Sequence, residues 1–378
     1  MRTHSWHRLS GSALAMLLFC ASPALSAPDA RAVADSLVAT AAAAGKVQAT
    51  YESATASGDV ITIIGFKAVR TNAKTVVIPA IVVTGAAMRE AGGFTAQSIA
   101  FDGGKAVRGN DQVTWQTGLI EEALVPSAEE VKAEADVRPF GKLVMGGLTI
   151  AESNLSKPIT ASEVRVVLQS AADGSAGAFA AQIGGVHFPA DVLRGRPQEK
   201  ALLDALGYEE FDVNIAIAGA FDGAGDSMTL DTLTINTADV GTVTVKAQFS
   251  GITLGKIVAA QANPGTRSST KLDRLELRFD NNGVVERALD MHAALIWGTR
   301  EDAAAQVNAA LPLVLHFIGN EVFQEKVAKA VEKFLVEPKS IAFSAAPSAP
   351  VPLEQIIDTT RDEPGTRPDL LKADVSAD

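Results

Sequence analysis

The sequence predicts a mainly β protein of α+β type, a long antiparallel meander sheet with an N-terminal helix and C-terminal amphipathic helices packed on it. Three observations predict it. Runs such as Phe211-Asp-Val213-Asn-Ile215-Ala-Ile217 and Val243-Thr-Val245-Lys-Ala247-Gln-Phe249 alternate apolar and polar residues, the period of a strand with one wet face. Turn-forming clusters, Asp222-Gly223-Ala-Gly225-Asp226 and Ala238-Asp239 with Gly241, separate these runs at hairpin spacing. Small and β-branched residues are plentiful while aromatics make up 5% of the chain, which suits thin, closely packed strands.

Residues 1–26 read as a cleavable secretory signal, with Arg2 and Arg8 ahead of an apolar run, Ser12 to Ala21, that ends in Ala24-Leu25-Ser26. The run is shorter than the ~20 residues a membrane span requires, so the mature form is expected in the periplasm, or secreted, without a transmembrane anchor. Cys20, the one cysteine, leaves with this segment, so disulfides and thiolate chemistry are excluded from the mature chain. Loss of the two arginines takes the formal charge from −11 to −13, which argues against a nucleic-acid partner.

The next element is a helix within 27–46, over Asp29 to Ala44, where Val33, Leu37 and Ala41 share a face and Gly45 closes the pattern. A β-rich region spans 47–297. Its runs include Val60 to Ile64, Thr75 to Val83, Thr95 to Phe101, Lys142 to Ile150, Glu163 to Leu168 and Leu233 to Asn236. Pro79 places its run at an edge or a bulge, because proline donates no ladder hydrogen bond. Ser127 and Glu130 form a capping box for a short polar helix to Ala135, inside a candidate sub-boundary at 118–141. Pro197 opens and Gly207 stops a second connector helix. Asn281-Asn282-Gly283 predicts a hairpin between Leu272 to Phe279 and Val284 to Leu295. Residues 298–344 carry a helical cap and last strand: Thr299 caps a helix that Pro312 kinks, Asn320 caps another, and Ser340 to Phe343 reads as the strand. Residues 345–378 read as a Pro-containing extended tail.

Catalytic signatures are missing from this pattern. His187, His292 and His316 are far apart in sequence, His292 on the expected strand and His316 on an apolar helix, and no pair has metal-ligand spacing. No nucleophile elbow or phosphate loop occurs, and no cofactor is expected. Aspartates 222, 226, 231, 239 and 280 gather near turns, where dense oxygen ligands are compatible with calcium, but they lack the ordered spacing of a calcium loop and turn propensity explains them without an ion.

An exported chain with thin alternating strands, turns such as Phe221-Asp-Gly223 and C-terminal amphipathic helices resembles the periplasmic β-rich envelope proteins of the AsmA-like, groove-forming lipid-transfer type. The resemblance covers residues 47–297 and implies a curved sheet whose apolar face holds acyl chains. It carries no functional residues with it.

The first function class is therefore a non-enzymatic protein that binds or carries a lipid or other apolar ligand on its sheet. Val213, Ile215, Ile217, Val243, Val245 and Phe249 are the candidate ligand face. Phe323, Val327, Val331 and Phe334, with Val322 and Ala330, form a stripe that either covers the open sheet or acts as a movable lid or membrane-contacting helix. The second class is an envelope interaction module that docks a protein partner through sheet edges or the apolar helix. A hydrolase is the third, and Asp191, Glu209 and His187 gathered in a cleft would speak for it.

Overall fold

The computed structural model describes residues 29–43, 45, 47–70, 74–133, 138–170, 176–193, 197–223, 226–252 and 270–378. The expected secretory signal at 1–26 lies outside these residues. One antiparallel sheet of 19 strands forms the body of the molecule. Helix α1 (Ala30–Ala43) precedes it and buries Val33 and Ala34.

The sheet begins with β1 (Val47–Thr50) and β2 (Ser53–Ser57), which lie end to end along β3 (Val60–Arg70), and β3 pairs with β4 (Lys74–Thr84). After the short β5 (Ala87–Met88), β6 (Phe94–Ala100) and β7 (Lys105–Arg108) lie end to end on β4. β8 (Asp111–Thr114) and β9 (Thr117–Val125) return beside them and pair in turn with β10 (Lys142–Ala151). The sheet therefore runs unbroken through the candidate boundary at 118–141. From there each strand pairs with the next in sequence: β11 (Ile159–Ser170), β12 (Ala176–Pro189), β13 (Glu210–Asp222), β14 (Ser227–Thr237), β15 (Gly241–Ser250) and β16 (Lys271–Asn281).

A line of left-handed glycines crosses half of this sheet. Gly65, Gly103, Gly147 and Gly185 have φ of 69°, 66°, 62° and 59°. A Cβ at Gly65 or Gly147 would stand 2.5 Å from the Glu52 or Gln116 side chain, and one at Gly185 would stand 2.3 Å from Ser162 Oγ. Only glycine combines that backbone with that close approach. At this line the buried face changes parity, from Ile61 and Ile63 to Phe66 on β3, so the sheet is creased across its strands as at a bulge. Pro79 sits on the crease opposite Gly65. On its other side β7 pairs with 74–77 and β6 with 82–84, so the ladder asks no donor of it.

Between β9 and β10, α2 (Ala128–Lys132) has the expected box: Ser127 Oγ accepts from Glu130 N and the Glu130 carboxylate accepts from Ser127 N. Arg89 grips the same carboxylate with two 2.8 Å hydrogen bonds. That grip first, and the Ser127 N–H second, lower the Glu130 pKa from 4.5 to about 2. A carboxyl lowered on folding stabilises fully above its ordinary value and loses that contribution as pH falls through the folded one. The α2 contact is therefore expected to hold at pH 5 and to be lost between about 4.5 and 2. Arg89→Met should return the Glu130 titration toward 4.5, which carboxyl NMR reads directly.

α3 (Pro197–Leu206) follows β12 between the expected Pro197 and Gly207. The C-terminal third departs from expectation twice. Asn281-Asn282-Gly283 does not turn a hairpin, because α4 (Val284–Ile296) replaces the expected strand. Asn281 Oδ1 accepts from Gly283 N at 3.2 Å and Val285 N at 3.1 Å, so the asparagine that signals a turn starts a helix instead. Leu289 and Ala293 are buried on its inner face, and His292, on this helix rather than on a strand, bonds Gln306 at 2.7 Å.

α5 (Arg300–Leu315) and α6 (Glu321–Val336) carry the expected caps: Thr299 accepts from Asp302 N, Asn320 accepts from Phe323 N, and Pro312 lies inside α5. β17 (Ser340–Ala345) then pairs with β16. Beyond it the chain is no extended tail. β18 (Val351–Pro352) pairs with β16, α7 (Leu353–Asp362) and α8 (Arg367–Leu371) follow, and β19 (Ala373–Ala377) pairs with β17 as a later strand. Val351 and Leu371 are buried with Leu272 and Ala345, and this apolar cluster is what fixes the segment.

Candidate ligand-binding face

Register carries one apolar row across the sheet. From β9 to β19 the successive partners are Ile120, Leu143, Val166, Ala181, Ile217, Leu233, Val245, Leu277, Phe343 and Val375. A second row on the same face runs from Gly118 through Met145, Val164, Ile183, Ile215, Ile235, Val243, Phe279 and Ile341 to Ala377. A third holds Leu168, Phe179, Gly219, Leu230, Ala247, Leu275, Ala345 and Ala373. No polar side chain interrupts the three. The opposite face reads Arg165, Gln182, Ala216, Thr234, Thr244, Arg278, Ala342 and Ser376 across β11–β19. Period two along each strand, repeated in register, makes the whole sheet two-sided.

Helices stand on the margins of the apolar face. At one end the first row continues through Ile99 and Val83 to Ile61, all buried in the cluster that α1 closes. At the other end α6 seats Phe334 edge-on against Phe279, with ring centroids 6.2 Å apart. Along one side Leu203 and Leu206 of α3 pack against the buried cluster of Ala190, Tyr208, Phe211 and Val213. Along the other, Leu371 of α8 is buried with Leu272, Ala345 and Val351, and Leu353 and Ile356 of α7, like Phe249 and Leu275, pack against that cluster.

The middle is uncovered. No residue of β10 or β11 is buried. Of the apolar side chains on β10–β15 only Pro189, Phe211, Val213 and Ala247 are buried, while Ile235 on β14 is 37% exposed and Leu277 on the neighbouring β16 is 41% exposed. Six strands at ~4.8 Å and three rows at ~7 Å give an apolar floor of about 24 Å by 14 Å. Covering such a floor is worth at most on the order of 8 kcal/mol at ~25 cal/mol per Å².

The six residues picked from the alternation all lie on this face, in two surroundings. Ile215, Ile217, Val243 and Val245 are half-buried on the floor, whereas Val213 is buried under the α3 margin and Phe249 belongs to the cluster under α7 and α8. The stripe residues Phe323, Val327 and Val331 are half-buried and Phe334 buried, so α6 is seated at the margin on β17 and β19, while Val322 points outward at 71% exposure. Sequence reasoning missed the rows on β9–β12, β14 and β16–β19, which emerge only from the register between strands.

The polar face pairs its own charges. Arg278 donates to Asp280 at 2.8 Å and to Asp378 at 3.0 Å, and these two carboxylates, Asp280 first, raise the guanidinium pKa. Lys142 meets Glu121 and Arg165 meets Glu163 in the same way. His187 does not gather with Asp191 and Glu209. Its Nδ1 lies 2.9 Å from Asp212 and its Nε2 3.1 Å from Glu210, which also holds Lys157, while Asp191 accepts from Ser156 N. Among the described residues no group of three His, Cys, Asp or Glu is placed to hold a metal ion, and no helix is long and apolar enough to cross a membrane.

A family model described as "Uncharacterized protein" matches residues 234–378, from the middle of β14 through the C-terminal margin helices. No curated protein matches the chain.

Proposed function

We propose that the chain is an exported, periplasmic, non-enzymatic protein that binds or carries a lipid, laying its acyl chains on the apolar floor. One observation carries this reading: two apolar rows cross β10–β15 in register and a third joins them from β11, and their middle is open while every margin holds a helix. A soluble protein does not leave such a patch uncovered without use, and patches of a few hundred Å² commonly mark sites. The dimensions suit the ligand. One leaflet of a ~30 Å hydrocarbon core corresponds to a chain reach of about 15 Å, which fits along the ~24 Å direction of the floor, across the strands. Enclosing margins favour a carrier that holds its load over a conduit open at both ends.

The test is native mass spectrometry with lipid extraction on protein purified from the periplasm without detergent. The expected result is a reproducible lipid at one per chain. A ligand-free protein that also takes up no fluorescent fatty acid would sink the reading and favour an interaction module whose floor is filled by a partner protein.

A further inference from the structure

Among the described residues a strongly exposed apolar cluster lies off the floor, at the joint between α5 and α6. Leu313 is 83% exposed, Val314 57%, Phe317 71% and Val322 71%. From Gln306 to Asn320 the chain has no Asp, Glu, Lys or Arg, although 20% of its residues are charged. The second half of α5 thus lacks the polar outer face a water-facing helix carries. The joint is also firmly held. Asn320 Nδ2 donates to Gly365 O at 2.9 Å and to Asp369 at 3.0 Å, which ties it to the α7–α8 turn, and Gly319 N–H closes a turn on His316 O at 3.2 Å. It therefore stands at the corner where the α6 margin and the α7–α8 margin of the floor meet.

We infer that this knuckle is a docking point for a lipid bilayer, inserting Leu313 and Phe317 at the headgroup boundary. The choice of a bilayer over a protein rests on three features. A stretch free of formal charge avoids the largest desolvation cost of entering hydrocarbon, whereas protein interfaces carry a polar rim. The knuckle projects as the end of a helical hairpin with its turn closed by an internal hydrogen bond, as entry into lipid demands. A carrier of the kind proposed above must collect its load from a membrane, and this inference rests on that reading for its partner. The negative formal charge, −11 for the full chain and −13 without residues 1–26, disfavours anionic headgroups, so the fitting surface is zwitterionic.

The experiment is flotation of the purified chain with phosphatidylcholine/phosphatidylethanolamine vesicles, beside the Leu313→Glu/Phe317→Glu variant. The wild type is expected to float and the variant to partition at least about tenfold less, with the same co-purifying lipid. Wild type that stays with the soluble fraction overturns the inference. So does undiminished flotation of the variant, loss of flotation caused by Trp297→Glu instead, or a wild-type dimer that the variant dissociates. Should the variant misfold, a Phe317→Cys variant of the mature chain, labelled with an environment-sensitive dye at this one cysteine, answers the same question: a blue-shifted, brighter signal with vesicles supports insertion and no change refutes it. A chain that floats but never carries lipid would support the knuckle while removing the carrier reading.

Discussion

Ile217→Asp with Val245→Asp is expected to lower bound lipid by at least about 100-fold while leaving the fold intact. The two positions belong to one row, joined through Leu233, at the centre of the floor. In the empty protein both carboxylates remain hydrated, because nothing packs over the middle of the sheet. The cost to folding is then limited to the poorer strand propensity of aspartate, under about 2 kcal/mol for the pair. With ligand bound, each charge must be stripped of water against acyl chains, and ~3 kcal/mol in all already gives a 100-fold loss. The check is lipid content by native mass spectrometry alongside a urea unfolding curve. Unchanged lipid content with an unchanged midpoint would place the ligand elsewhere.

Phe94→Ala is expected to act on stability, by about 3–5 kcal/mol. Phe94 is fully buried at 0% exposure and shares its cluster with Ile61, Ile63, Val83 and Val33 of α1. Helix and sheet close on it from both sides, which leaves the cavity little freedom to collapse. A lower urea midpoint at unchanged m-value is the expected signature. A loss below 1 kcal/mol would mean that α1 is only loosely docked. The two substitutions separate the molecule's two regimes, since one touches a dry core and the other an open face.

Much of this could be read in the residues. Period two in β13 and β15 marks the apolar face of the sheet, and Ser127, Thr299 and Asn320 mark helix starts, because a cap is a local bond between residues three apart. The same locality misled at Asn281. Asn-Gly favours a hairpin in isolation, but what followed was a helix whose apolar spacing at Val285, Leu289 and Ala293 outweighed the turn. The C-terminal segment was misread for its prolines, although Leu353, Ile356 and Leu371 find partners on Leu272 and Phe249, about 100 residues earlier. The crease was invisible because its glycines are unevenly spaced along the chain and align only through the ladder. For the same reason the extent of the site lay beyond pattern reading, since a row is a property of register across ten strands.

From β10 to β16 the order of strands in space equals their order in the chain, and each strand contacts the next. Such a sheet is modular in the sense of a repeat array, where stability is a sum of neighbour terms. Taking out or adding one whole hairpin leaves the remaining strands antiparallel and their apolar faces on the same side, and shifts the distance between the end helices by about 10 Å. The extent of the open apolar floor is thus a countable quantity, set in units of two strands, and evolution can lengthen or shorten it without redesigning the helices at either end.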